Sequence, residues 1–120
     1  MTDTERKVIS LTPTVDTAIY ASGDQLGSLM TLSGGLISMR SGILESLSIV
    51  DKSKQKSVLN VLFFSSTPTI VSVDNAPLDI TDAEMAAKCI GYVPVAAADY
   101  KDIANSSIAS VRALNLVLNR

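Results

Sequence analysis

At 120 residues, 47% of them hydrophobic, the chain has the material for one domain with an apolar core and needs neither disulfides nor metal to fold. Aromatic residues make up only 4% and tryptophan is absent, so that core is built from Leu, Val, Ile and Ala. A net charge of -2, with ten Lys and Arg that form no dense patch, excludes a phosphate-tracking protein, and no nucleic-acid partner is expected.

Met1 to Lys7, MTDTERK, alternate threonine with charge and offer nothing to bury, which predicts a flexible arm at 1–7 ahead of a single domain at 8–120. Val8 to Val15 is rich in β-branched residues and reads as a strand, with Pro13 tolerated at an edge or bulge. Thr17 to Ala21 continues it after a break at Asp16. Ser22, Gly23 and Asp24 predict a turn in which Gly23 supplies a positive φ. Leu26 to Leu32 predicts a second strand, ended by Ser33, Gly34 and Gly35, and Leu36 to Arg40 a short third.

In ILESLSIVD, Ile43, Glu45, Leu47, Ile49 and Asp51 alternate with Leu44, Ser46, Ser48 and Val50, a strand pattern whose apolar side is imperfect at both ends. Lys52, Lys54 and Lys56 follow at every second position. SVLNVLFFSS then reads as a long strand with Leu59, Val61 and Phe63 on one face, so the two strands predict a hairpin with a lysine tip. Ile70 to Val73 resumes the strand pattern after Thr67 and Pro68, and Asp74, Asn75 and Pro77 turn it. Thr81 followed by Glu84 is a capping box that opens one short helix over 82–89. Tyr92 to Ala96 is a strand, Asp99 to Ser107 a polar loop, and the alternation of IASVRALNLVLNR predicts a last, long strand. Short strands with turn signals about every 8–12 residues predict a mainly β fold, an antiparallel β-sandwich of jelly-roll or Greek-key type.

Without histidine the chain lacks the commonest general base and metal ligand, and every Ser-His or Cys-His arrangement. The single Cys89 reads as a small buried hydrophobe. Gly34 and Gly35 lie between strand candidates, where a hairpin turn explains them and no phosphate loop is formed. Asp74, Asn75, Asp79 and Asp82 are the one oxygen-rich cluster. Their spacing does not fit a calcium loop, and turn and cap roles account for them. Paired carboxylates for glycoside hydrolysis lack the aromatic residues on which a sugar would stack. No catalysis and no cofactor are expected, and no apolar run of about eighteen residues predicts a membrane span.

The segment DNAPLDITDAEMAAKCIGYVPVAAADY, Asp74 to Tyr100, resembles a group of small virion structural proteins of tailed bacteriophages. Their wording is a Pro-Leu-Asp-Ile-like turn into an acidic helix start, Gly-aliphatic-aliphatic-Pro and an Ala-rich Ala-Asp-Tyr. YASGDQLG at Tyr20, LESLSIVDKSKQK, Leu62 and Phe63 before Thr67 and Pro68, and the closing LNLVLNR extend the similarity loosely from Thr12 onward. These are structural motifs, without catalytic content.

The resemblance implies a non-enzymatic head decoration or cement protein. Such a protein is made in the host cytoplasm and bound to the major capsid protein on the outer surface of the virion. It implies a homo-oligomer, a trimer foremost. Members of the group continue with a further pair of strands past the position of Leu118, so an end at Arg120 implies a shorter variant or a sheet completed by a neighbouring subunit. The expected capsid contacts are the arm residues Thr2, Asp3, Thr4, Glu5, Arg6 and Lys7 and the tip residues Lys52, Lys54 and Lys56. A tail, baseplate or fibre component and a carbohydrate-binding module are the alternatives.

Overall fold

The computed structural model describes residues 8–32 and 41–119. Among these residues the chain is mainly β, with several small antiparallel sheets and one short helix. It divides into two compact units: 8–32 with 68–87, and Ser41–Thr67 with 88–119.

The second unit contains the described strands. Its elements are β1 (Ser41–Leu44), β2 (Leu47–Asp51), β3 (Leu59–Phe64), β4 (Cys89–Val95), a 3-10 turn over Ala97–Asp99, β5 (Tyr100–Ile103), β6 (Ser106–Val111) and β7 (Leu116–Asn119). β1 pairs with β7 from Ser41 opposite Asn119 to Leu44 opposite Leu116. β2 pairs with β6 from Leu47 opposite Val111 to Asp51 opposite Ser107. β5 occupies the other edge of β6, and β3 pairs with β4.

The two pairings β1–β7 and β2–β6 form one long antiparallel ribbon with a break in its middle. At the break Glu45 and Ser46 face Arg112 to Asn115, and the Leu114 N–H donates to the Glu45 carbonyl at 3.0 Å. Ala113 and Asn115 take left-handed backbone, φ 56° and 49°, to absorb the unequal lengths. The break also changes phase. In β2 and β6 the core side is odd-numbered, with Leu47, Ile49, Ala109 and Val111. In β1 and β7 the more buried side is even-numbered, with Leu44, Leu116 and Leu118. Residues 43–51 and 108–119 therefore each form two strands where sequence alternation predicts one.

The core joins the two larger sheets. Val95 of β4, Tyr100 of β5 and Ala109 of β6 are buried together, with Leu47, Ile49, Leu59, Val61 and Val111 packed around them. Ile49, Ala109 and Tyr100 stand in one row across β2, β6 and β5. The single methyl of Ala109 leaves room for the Tyr100 ring beside it, and the Tyr100 hydroxyl donates to the Ser57 carbonyl at 2.9 Å. Pro94 sits in β4 opposite Asn60, and since β4 pairs only with β3 among the described residues, its missing N–H is tolerated at the free edge.

The helix α1 (Asp82–Lys88) follows the sequence reading closely. The Glu84 N–H donates to the Thr81 hydroxyl at 3.2 Å, and the Glu84 carboxylate accepts from the Thr69 N–H at 2.7 Å. Asp82 and Glu84 lie at its positive end and Lys88 at its negative end. Lys88 also donates to the Thr67 carbonyl at 3.1 Å, holding the two sides of the second unit where α1 runs directly into β4.

Several expectations are corrected. Val8 to Val15, Thr17 to Ala21, Leu26 to Leu32 and Ile70 to Val73 form no strand; the Ala18, Ala21 and Gly27 N–H groups are held by carboxylates and the Val71 N–H by the Asp79 carbonyl instead of by a ladder. The predicted hairpin of 43–51 with 57–66 does not form: β2 pairs with β6 and β3 with β4. The polar loop Asp99 to Ser107 is instead a 3-10 turn, a strand and a tight hairpin through Ala104 and Asn105, with Ala104 at φ 54°. The Ser33–Gly35 turn and the Leu36–Arg40 strand lie outside the described residues.

Candidate interaction surface

The first unit is built around one carboxylate. Asp74 Oδ1 lies 2.7 Å from the Tyr20 hydroxyl and accepts the Gly27 N–H at 2.6 Å, and Oδ2 lies 2.9 Å from the same hydroxyl. The hydroxyl in turn accepts the Asp16 N–H at 2.7 Å. The Asn75 side-chain amide lies among Asp16, Asp24 and the Ile19 carbonyl.

Backbone bonds seal the same junction. Gln25 N–H donates to Ala76, Asn75 N–H to Gln25 and Leu78 N–H to Gly23, at 2.8, 2.8 and 3.0 Å. The Ser72 hydroxyl donates to Gln25 Oε1 at 2.7 Å and accepts the Asp79 N–H at 2.8 Å. Gly23, at φ 90°, makes the predicted turn, and Gly27, at φ 73°, lies so close to Pro13 that an added Cβ would stand 2.9 Å from the proline Cβ.

Polar bonds hold this unit while its aliphatic side chains face outward. Val8 and Ile19 are 95% and 94% exposed, and Leu11, Val15, Leu26, Leu29, Met30, Val71 and Val73 are exposed as well. An isolated exposed aliphatic residue is ordinary. Here the backbone is ordered through carboxylates while the apolar residues stay in contact with water.

The lysine tip of the second unit is a loop closed by Asp51. Asp51 Oδ1 accepts the Ser53 N–H and hydroxyl, at 3.0 and 2.8 Å, and Oδ2 accepts the Gln55 and Lys56 N–H groups, at 2.8 and 3.1 Å. Burial alone would push the Asp51 carboxyl up. The donors from Ser53, Lys56 and Gln55 outweigh it and hold the group below the usual carboxylate range. Lys54 and Lys56 take left-handed backbone, φ 56° and 53°, held by these bonds.

Lys56 lies 3.2 Å from Asp102, whose carboxyl is lowered first by the Ser107 hydroxyl and then by Lys56. Lys52 and Lys54 remain exposed. The loop thus keeps two of the three expected lysines outward and turns the third back to β5. Thr2, Asp3, Thr4, Glu5, Arg6 and Lys7 lie outside the described residues.

Of the oxygen-rich cluster, Asp74 is engaged by Tyr20 and Gly27, and Asp79 and Asp82 serve the turn and the helix start. Among the described residues no three His, Cys, Asp or Glu side chains gather as metal ligands, and no helix is long and apolar enough to cross a membrane. Cys89 is half-buried, with its thiol directed to the Gly91 carbonyl at 3.7 Å. In comparisons with known proteins, no family model, no curated protein and no solved structure matches the chain.

Sequence reasoning missed the Tyr20–Asp74 junction. Both segments stood out as distinctive, YASGDQLG and DNAPLD, yet nothing local to either points to the other across 54 residues.

Proposed function

We propose that this chain is a non-enzymatic structural component of a tailed-phage virion, a decoration or cement protein that binds the assembled head shell through the major capsid protein. The observation that carries the reading is the first unit: a backbone ordered by Asp74, with the aliphatic residues Val8, Ile19, Val71 and Val73 turned outward. Covering such a surface on a shell removes apolar area from water without a large ordering cost, since the backbone is already held. Repeated over many copies, weak contacts of this kind stabilise only the assembled state. The Lys52 and Lys54 side chains add a basic point of contact for an acidic shell surface.

A sandwich of jelly-roll or Greek-key type is the architecture we assign to the second unit. It is supported by the core that β3–β4 and β2–β6–β5 share.

The test is the copy number of the chain in purified virions relative to the major capsid protein, by quantitative mass spectrometry. A simple ratio to the shell protein supports decoration. A few copies per particle move the chain to the tail or baseplate, and absence from the particle overturns the virion reading.

A further inference from the structure

Each open strand edge of the second unit is defended against pairing except one. Natural sheets blunt their edges with short strands, charges, prolines or bulges. β1, β5 and β7 are four residues long, and β5 also carries Lys101 and Asp102. β2 ends in Asp51 and runs into the lysine loop. β4 carries Pro94. β3 is six residues long, LNVLFF, with no charge, proline or glycine, and no ionisable residue occurs between Lys56 and Asp74. Among the described residues β3 pairs only with β4, and its register slips only at Phe63/Phe64, so Leu59 to Phe63 form a regular free edge.

We infer that this edge pairs with the same edge of a second copy of the chain, antiparallel about a two-fold axis, to make one continuous four-stranded sheet. Among the described strands, self-pairing joins the only two edges that both lack a charge, a proline or a short run; any other described edge would bring one of these to the junction. Centred on Val61, the pairing sets Leu59 against the partner's Phe63 and Asn60 against the partner's Leu62. Leu59, Val61 and Phe63 then continue on one face of both copies, and no like charges meet. Such an interface is isologous and closes at two chains, in place of the threefold arrangement that the resemblance implies. It stands independently of any place in a virion.

Sedimentation of the full chain tests the pairing. The chain is expected at twice the mass of one copy. Asn60→Lys, which puts a charge on an exposed position of β3, is expected to weaken the association about tenfold or more while the circular dichroism is kept. In a Cys89→Ser background, oxidation of a mixture of N60C and L62C chains is expected to give a disulfide-linked pair of one chain of each kind, because directly opposed positions lie within disulfide reach. That disulfide decides the matter where Asn60→Lys does not fold. A chain that stays monomeric at high concentration overturns the inference, and so does a dimer that forms no 60–62 disulfide.

Discussion

The Tyr20 hydroxyl lies 2.7 and 2.9 Å from the two carboxylate oxygens of Asp74, 54 residues away in sequence, and donates its proton to them. This contact and the Gly27 N–H on the same carboxylate join the two sequence segments of the first unit. Asp74→Ala leaves the buried Gly27 N–H without its acceptor and is expected to destabilise the unit by about 1–3 kcal/mol. The measurement is hydrogen exchange at the Gly27 and Asn75 amides, which should lose protection together. Tyr20→Phe keeps the Gly27 bond and should loosen the Asp16 turn while leaving Gly27 protected. Unchanged exchange in Asp74→Ala would remove the carboxylate from its organising role.

Two glycines separate backbone strain from simple crowding. At Gly27, φ 73°, an added methyl meets the Pro13 Cβ at 2.9 Å; at Gly91 it meets Leu116 Cδ1 at 2.7 Å. The second contact is shorter but lies at the end of a flexible side chain, which can swing aside. Gly27→Ala is therefore expected to cost about 2 kcal/mol or more, since a left-handed backbone and a rigid ring are both imposed on it. Gly91→Ala should cost less than about 1 kcal/mol. Urea midpoints of the two variants give the order, and a reversed order would contradict the placement of Pro13.

The lysine loop is expected to loosen in acid. The Asp51 carboxyl is held below its unfolded value by the Ser53, Lys56 and Gln55 donors, against a burial effect of opposite sign. A depressed folded pKa means that the contribution is fully present above the unfolded value, about 3.9, and is lost as pH falls through the folded one. Amide exchange of Gln55 and Lys56, followed by NMR from neutral pH downward, should accelerate only beneath that point. Asp51→Asn should abolish the pH dependence and leave the loop mobile at neutral pH. A transition near neutrality would sink this account.

The row Ile49–Ala109–Tyr100 predicts that bulk at its centre is poorly tolerated. Ala109 is fully buried between its two neighbours, so Ala109→Leu must displace the Tyr100 ring and break its bond to the Ser57 carbonyl. The expected cost is about 1–3 kcal/mol. Tyr100→Phe, which removes only that bond, should cost about 0.5–1.5 kcal/mol. If thermal unfolding ranks Tyr100→Phe as the more damaging change, the ring is not held by packing.

Helix α1 and strands β3 and β4 were legible in the sequence because local signals decide them. Thr81 and Glu84 mark the helix start, LNVLFF is an apolar run of strand length, and Tyr92 to Ala96 marks the body of β4, which begins three residues earlier at Cys89, a residue the helix pattern claims. The long alternations at 43–51 and 108–119 were legible as extended chain but not as paired strands. Their phase change at Glu45–Ser46 and Arg112–Asn115 depends on Ala113 and Asn115 adopting left-handed backbone, which no glycine announces. The imperfect apolar side of ILESLSIVD was the visible trace of that shift.

At 17–27 the residue types suggest strand, but Asp16, Asp24 and Asp74 offer the Ala18, Ala21 and Gly27 amides competing acceptors. The lysine tip is a loop but not the end of a hairpin, since its closure comes from Asp51 and Tyr100 and not from pairing of β2 with β3. The outward aliphatic surface had no sequence signal, because apolar residues in a strand-like run read as core.

The long ribbon has a temporal consequence. Ser41 pairs with Asn119 and Leu47 with Val111, so each strand of the first half finds its neighbour only when the far end of the second unit has been synthesised. Pairings so distant in sequence close slowly, and β3, uncharged and waiting for β4 while the Pro68–Ala87 stretch is made, stands exposed in the meantime. A nascent chain of this protein thus carries its stickiest strand unshielded while residues 65–88 are made, and crowding by sister chains on one messenger would favour premature association over folding.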